Sequence, residues 1–556
     1  GVALQTKRSL NDAARAYQRA LAFKPSLVDA DYNLGVLFQQ QDALDAAIQA
    51  YETVLKADPT HVLAYKNLGE ALLAAGDFDA WVANFERFEA NCPDALALAV
   101  QALEVCQYLG DFEKVERYLD GLRNERFRVD DEDLLADCLE VLLYLLLYFD
   151  VEQEMLLKFA QTYDITAKRV YGVAFPRHPQ RRPGRLRIGY LSADLRNHVM
   201  GKMIWQAIVR HDKSRFEVFI YSLTKESDEW TERFRRVADH FEAITAHHER
   251  TAAMRIAKDD LDILVDLSTH TKDAKPGILA FKPARVQITH VASAGVVGLS
   301  AVDFKLTDRW ADLPENSEFQ LESPLVMEGC VYPYRHIPVA ENHPFHRALL
   351  GIPADAVVVG AFVSGLKLSR RCLALWSEVL GRLLRAKLAF SPVNPGARAR
   401  YLRLAATAGI AADRLIFLPQ GRDDAENQAR YAVVDFVLDT MPFGGVNGTL
   451  EALDMGVPVV TLAGRRHGER TSYSILANLG VTETVAQSGR EYVDIAVRLA
   501  EDPGFMTAVR AKIREGLDAS PLVDMPAHTR HLEAAYIDAL MSRCPDVVPP
   551  LLRADV

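Results

Sequence analysis

No Cys-x-x-Cys pair occurs in the 556 residues, and the six cysteines (Cys92, Cys106, Cys138, Cys330, Cys372 and Cys544) lie far apart. That spacing argues against a thiolate metal site or a disulfide framework and reads as reduced, mostly buried thiols of a cytoplasmic protein. Positive charge is also short, with 64 Lys and Arg against 75 Asp and Glu and a formal charge of −11. Nucleic acid or an anionic membrane surface would call for the opposite sign. Long apolar runs are missing as well. The longest strongly apolar stretch, residues 141–149, is less than half of what a bilayer-spanning helix requires, and it reads as buried helix. The N-terminus as it stands has no basic segment leading into an apolar one with a small-residue cleavage site. Ordinary globular composition, with 49% hydrophobic and 25% charged residues, excludes a disordered or fibrous chain. The length suits about three or four domains.

What is present first is a repeat. Ala13, Tyr17 and Pro25 recur 34 positions later as Ala47, Tyr51 and Pro59, and Phe85 and Pro93 continue the series. Leu34-Gly35 matches Leu68-Gly69, Trp81 takes the place of Ala47, and Gly76-Asp77-Phe78 reappears as Gly110-Asp111-Phe112. This period resembles that of tetratricopeptide repeats, helical pairs that bury their apolar faces only by stacking on one another. The repeats are expected over residues 1–127, with a surface suited to an extended polypeptide partner. Residues 128–180 keep a helical pattern without the repeat and read as a capping and linker segment. Its end is marked by the Pro- and Arg-rich run 176–184, which breaks all periodicity.

Beyond that run, short apolar segments alternate with helical ones. Strands are expected at 186–191, 216–223, 263–267, 286–291 and 304–306, and again at 357–363, 387–390, 415–418, 436–438 and 457–462. Uniformly apolar strands spaced by helices imply parallel sheets covered on both faces. Two such sets imply two Rossmann-like α/β domains, 181–345 and 346–556, the second carrying terminal helices. Ligands of such sheets gather at the C-terminal strand ends.

Polar residues at those ends are the candidate site. Between Asp439 and Glu451 a strand leaves through Gly444-Gly445 into a helix, with Asn447 as the expected N-cap and Gly456 as the stop. Free amides and the helix dipole make such a turn an anion site, although the same spacing suits an ordinary strand-to-helix turn. Glu451, one turn in, is suited to ribose hydroxyls. Lys367, in the loop after the first strand of the second domain, would offset charge on a diphosphate leaving group. His198, in the run Ser192 to His198 that leaves the first strand, then His270 and His290, sit at strand ends of the first domain, the three histidines converging on one polar edge as candidate base or acceptor-side groups. Asp260-Leu261-Asp262 has the spacing of a metal-diphosphate motif but precedes its strand, so it reads as a solvated strand start. No metal site is expected.

Residues 185–540 resemble the catalytic part of glycosyltransferase family 41, whose usual partner is such a repeat. The matching pieces are Leu186-Arg187-Ile188-Gly189-Tyr190-Leu191-Ser192-Ala193-Asp194 with His198, Lys282-Pro283-Ala284-Arg285-Val286-Gln287, Val302-Asp303-Phe304 with Thr307-Asp308, Leu438-Asp439-Thr440, and Met455-Gly456-Val457-Pro458 through Gly464 with Arg470. The resemblance implies a GT-B fold of two facing Rossmann-like domains and inverting transfer from a nucleotide sugar to a protein side chain, without metal or other cofactor. It places Lys367 on the donor diphosphate and His198 near the acceptor. Pro419 and Gln420 would frame the base, Arg430 lie near the donor, and Glu451 hold the ribose. Ser364, Asn427, Asn447, Gly448 and Thr449 complete the expected donor side.

The family's O-linked N-acetylglucosamine transferases carry His-Thr-Thr where Val446-Asn447-Gly448 stands. A histidine of theirs aligns with Asn427, and Gly-Tyr-Pro-Gly with Ala292-Ser293-Ala294-Gly295. Pro442-Phe443-Gly444 with Asn447-Gly448 is closer to the N-glucosyltransferases. The expected reaction is O-glycosylation of Ser or Thr, with UDP-N-acetylglucosamine as donor. A UDP-hexose on Asn, a GDP-sugar for O-fucosylation, and a binding scaffold with an inactive transferase fold remain alternatives, and self-association is left open.

Overall fold

The computed structural model describes residues 10–24, 26–175, 181–290, 294–391, 393 and 395–547; Pro25 of the repeat, residues 176–180 of the expected boundary, Val291 of the expected strand 286–291 and residues 292–293 of the expected turn lie outside them. The chain divides into two compact units, residues 1–138 and 139–556. Among the described residues no helix is long and apolar enough to cross a membrane.

In the first unit seven helices run from Leu10–Phe23 to Phe112–Arg123. The repeated Gly-Asp-Phe is a helix stop followed by a helix start. Gly76 and Gly110 both take φ of +74°, a left-handed conformation that costs glycine nothing. Asp77 and Asp111 then accept the amides of Ala80 and Lys114, each at 3.0 Å, as N-caps. Ala13 and Tyr17 are buried with Leu34 and Leu37. Ala47 and Tyr51 are buried one period later, and Trp81 and Phe85 one period after that. Gly35 leaves room for the Tyr51 ring, which a Cβ would meet at 2.5 Å.

The second unit holds two parallel sheets. The first contains β1 (Leu186–Ser192), β2 (Phe216–Ser222), β3 (His240–Ala243), β4 (Ile263–Asp266), β5 (Val286–Thr289), β6 (Phe304–Asp308) and β7 (Ser323–Met327), in the order β3-β2-β1-β4-β5-β6-β7. The second contains β8 (Val358–Ala361), β9 (Lys387–Phe390), β10 (Leu415–Phe417), β11 (Phe436–Leu438), β12 (Val459–Leu462) and β13 (Val485–Ala486), in the order β10-β9-β8-β11-β12-β13. Central strands β4, β5, β6, β8 and β12 are buried throughout, which accounts for their mainly apolar sequence, with Gln287, Lys305, Thr307 and Thr461 among the buried polar exceptions.

Three strands fall outside the expected set. All of them (β3, β7 and β13) lie at sheet edges, where one side has no neighbour and the apolar run is correspondingly short or broken. Asp260 and Asp262 also depart from expectation, being buried instead of solvated. Arg285 reaches Asp260 at 2.6 Å and Arg181 reaches Asp262 at 2.8 Å, so these carboxylates close the start of the sheet as ion pairs. Helix Gln153–Val170 belongs to this unit, tied by Gln153 to Asn316 and by Asp164 to Ser300. The terminal helix Met525–Arg543 returns to the first lobe, where Glu533 Oε1 lies 2.8 Å from His211 Nδ1 and accepts the Asp212 amide at 2.9 Å.

Candidate active site

Between the two lobes, at the C-terminal ends of their strands, lies a cavity of about 330 Å³. Its second-lobe wall carries Ser364, Lys367, Asp439, Phe443 and Gly445 to Thr449; the first-lobe wall carries Met200, Thr269, Thr289, His290, Lys305 and Tyr332.

Asp439 organises the glycine loop. Its carboxylate accepts the amides of Thr440 at 2.9 Å and Gly445 at 2.7 Å and the Thr461 hydroxyl at 2.7 Å. A Cβ on Gly445 would sit 2.5 Å from Thr449 Oγ1, so any side chain there would displace the Thr449 hydroxyl from its contact with Ser472. The following helix begins at Asn447 itself, with Val446 in the cap position and no side-chain cap. The expected N-cap is therefore corrected. Asn447 instead turns along the helix and donates to Glu451 Oε1 at 2.6 Å, an i,i+4 contact that draws its amide away from the helix start. Gly456, at φ +69°, ends the helix as expected.

Lys367 stands in the turn Gly365–Lys367 after β8. Its Nζ donates to the Gly444 carbonyl at 2.6 Å and lies 4.0 Å from the Phe443 ring centroid. No carboxylate lies within ion-pair distance among the described residues. Burial lowers its pKa to about 8, with Asp439 opposing the shift. An ammonium so placed is a ready partner for an anion. Glu451 accepts from Asn447 and, at 3.2 Å, from the Tyr431 hydroxyl, and burial raises its carboxyl above the ordinary value.

Other expected donor residues stand back from the cavity. Arg430 donates to the Asn427 carbonyl at 2.8 Å and to Ser391 Oγ at 2.6 Å, and Asn427 Oδ1 accepts the Gly421 amide at 2.7 Å. Asn427 thus braces the turn that carries Pro419 and Gln420, which are exposed.

The three histidines do not converge. His198 caps helix Val199–Ile208 by accepting the Met200 amide, and its Nδ1 lies 3.5 Å from Asp194. Burial holds its pKa below the ordinary value against Asp194. His270 turns away, its Nε2 2.8 Å from the Val297 carbonyl and its ring against Tyr163. Burial lowers it to about 4. Of the three, His290 alone lines the cavity, with Nε2 3.3 Å from the Val331 carbonyl and its pKa brought to about 3 by burial. Position at a strand end does not fix where an imidazole finds its partner. Sequence reasoning also passed over Lys305, Tyr332 and His467, which line the cavity. Lys305, a cation between Phe304 and Leu306 in a buried strand, was the available signal.

Among the described residues no group of three or more His, Cys, Asp or Glu side chains is placed to hold a metal ion. Two parallel-sheet lobes facing across a cavity, one bearing a lysine and a glycine-loop helix start, define the GT-B class of fold.

Residues 157–324 and 341–532 match glycosyl transferase family 41, and the chain belongs to that family, as its motifs suggested. Residues 1–61 and 32–95 match tetratricopeptide repeats. The chain is 30% identical over 407 residues to a probable UDP-N-acetylglucosamine–peptide N-acetylglucosaminyltransferase SPINDLY of Arabidopsis thaliana, covering 70% of this chain and 44% of that protein. It is 26% identical over 376 residues to the probable UDP-N-acetylglucosamine–peptide N-acetylglucosaminyltransferase SEC of the same plant, covering 66% and 38%. It thus spans about two fifths of these curated relatives. Among solved structures it is similar to a mutant O-GlcNAc transferase of Thermobaculum terrenum, with a TM-score of 0.74 and 27% identity over 94% of this chain and 98% of that one.

Proposed function

We propose that the chain is an inverting glycosyltransferase that moves a sugar from a nucleotide donor, UDP-N-acetylglucosamine in the first instance, to Ser or Thr hydroxyls of polypeptides. The single observation that carries this reading is Lys367, buried in the cavity wall beside the glycine loop without a carboxylate partner. As the donor's anomeric bond breaks, charge grows on the departing diphosphate. A fixed ammonium in a low-dielectric site stabilises that charge more in the transition state than in the ground state. Amides of the turn Val446 to Thr449 add donors at the helix start. Glu451 is offered to the ribose. No metal is invoked, because Lys367 and these amides supply the electrophilic role.

The repeats of the first unit are read as the guide for an extended acceptor, and a cytoplasmic setting suits the free thiols. Incubating the protein with UDP-sugars and a Ser/Thr-rich polypeptide and reading acceptor mass tests the proposal. A product with one added N-acetylhexosamine supports it. An acceptor modified only on Asn would reassign the acceptor group, and one modified only by a GDP-deoxyhexose the donor, each keeping the transfer.

A further inference from the structure

Transfer to a hydroxyl breaks an O–H bond as the new C–O bond forms, and the proton needs an acceptor near the attacked carbon. His198 uses its Nδ1 as a helix cap and lies outside the cavity lining. His467 is in that lining. It opens the short turn His467–Glu469 after β12, on the second lobe, and is buried. Its two ring nitrogens meet two residues of the first lobe. The Tyr332 hydroxyl lies 2.9 Å from Nε2, and Asp312 Oδ2 lies 3.2 Å from Nδ1. Asp312 also accepts from Asn316 Nδ2 and has the Lys305 ammonium at 4.0 Å, while Lys305 itself donates to the Ala294 carbonyl at 3.0 Å.

The protonation states follow from these contacts. Burial alone would raise the Asp312 carboxyl, but the His467 hydrogen bond and the Lys305 charge hold it well below the usual range. Burial, and then Lys305, lower the His467 pKa against Asp312 and the more distant Asp308. The neutral imidazole thus donates Nδ1–H to an ionised Asp312 and keeps its Nε2 lone pair for the Tyr332 hydroxyl. A lone pair remains on the Tyr332 oxygen. The order carboxylate, imidazole, hydroxyl is the one by which a base is activated and its cation then stabilised. Tyr332, His467 and Lys305 line the main cavity, while His467, Lys305, Asp312 and Asn316 also line a second cavity of about 60 Å³. The chain of hydrogen bonds therefore crosses the wall between the two.

We propose that Tyr332, His467 and Asp312 form the proton relay of the transfer, taking the acceptor's proton from the donor cavity; the inference rests on the glycosyl-transfer reading above. The acceptor O–H donates to the Tyr332 oxygen and Tyr332 passes its own proton to His467 Nε2. The acceptor oxygen bonds to the anomeric carbon, and the electron pair of the broken C–O bond leaves with the diphosphate. The imidazolium formed is held by Asp312 and returns its proton to water afterwards. Tyr332 is the group that meets the acceptor; His467 and Asp312 act through it. Because His467 comes from one lobe and its partners from the other, the relay exists only while the lobes are together.

Two variants test this. Tyr332→Phe removes one oxygen and keeps the ring, while His467→Gln retains hydrogen-bonding groups but cannot take a proton. Both are expected to lower kcat for a polypeptide acceptor by about a hundredfold or more, with uridine diphosphate affinity by calorimetry kept within about threefold of wild type. In the wild type kcat/KM should rise with pH through the lowered His467 pKa, since the neutral ring is the active form. His467→Gln should lose that acid limb. Wild-type kcat and an unmoved pH profile in Tyr332→Phe, measured in a protein whose parent is active, overturn the relay alone. A loss that appears equally in uridine diphosphate affinity makes the cluster structural and overturns it too. If His467→Gln fails to fold, Tyr332→Phe decides. A wild type that moves no sugar from any nucleotide donor overturns the transfer reading itself.

Discussion

Lys367 Nζ donates to the Gly444 carbonyl across 2.6 Å, joining two loops 77 residues apart in sequence. Phe443, the neighbour of that carbonyl, lies under the same ammonium and against Tyr148. The lysine is thus held beside the phosphate loop before any ligand arrives. A diphosphate entering there has only to draw the ammonium from a neutral carbonyl, which is a weaker partner than an anion.

Lys367→Ala should abolish transfer and leave the fold intact. Removing one such contact in a site that relies on it costs on the order of a hundredfold or more in rate. Steady-state kinetics beside a melting curve checks this. Activity within about threefold of wild type would remove Lys367 from the reaction.

The pH dependence of donor binding follows from the same residue. In the free protein its pKa is near 8, and a bound diphosphate raises it by favouring the charged form. Nucleoside diphosphate affinity should therefore be full below pH 8 and weaken above it, approaching tenfold per pH unit until the pKa of the complex is passed. Calorimetry across pH 7 to about 10 measures the slope. Lys367→Met should flatten it.

Glu451→Gln should weaken donor binding by roughly 1.5 to 3 kcal/mol if the carboxylate meets a ribose hydroxyl. Asn447→Ala acts differently from the loss of a cap. It removes the 2.6 Å bond that orients Glu451, an effect of about 1 kcal/mol on the same affinity. Neither variant should change which polypeptide is chosen. Wild-type affinity in both would detach the donor from this loop.

Legibility in the sequence tracked the range of the interaction involved. The helical repeat could be read because Gly76-Asp77 and Gly110-Asp111 act within one turn of themselves, and the central strands because burial on both faces leaves them mainly apolar. β3, β7 and β13 were not legible, since an edge strand needs no such run. In the site, Lys367 and the loop after Asp439 follow directly from strand ends and were readable. The fates of His270 and Asn447 depend on which partner each finds, Val297 for one and Glu451 for the other. The cluster of Tyr332, Asp312 and His467 joins residues 135 and 155 positions apart across two lobes, a pairing that no local pattern encodes.

Deleting residues 1–127 should reduce glycosylation of full-length acceptors more than nucleotide-sugar binding, because the cavity described above draws all its lining from residues 199–471. Transfer to protein acceptors and uridine diphosphate affinity, measured in parallel, separate the two. Equal modification of full-length acceptors by the truncated and intact proteins would deny the repeats a guiding role.

The central claim is that this cavity transfers a sugar from a nucleotide to a polypeptide. Its most direct test is intact-mass analysis of a Ser/Thr-rich acceptor incubated with the wild type and separately with UDP-N-acetylglucosamine, UDP-glucose and GDP-fucose, with Lys367→Ala as control. The account predicts an added sugar, first of all N-acetylhexosamine, that depends on Lys367. An acceptor unchanged by every donor, with no donor raising the melting temperature of the protein, would contradict it and leave a repeat-bearing scaffold with an inactive transferase fold.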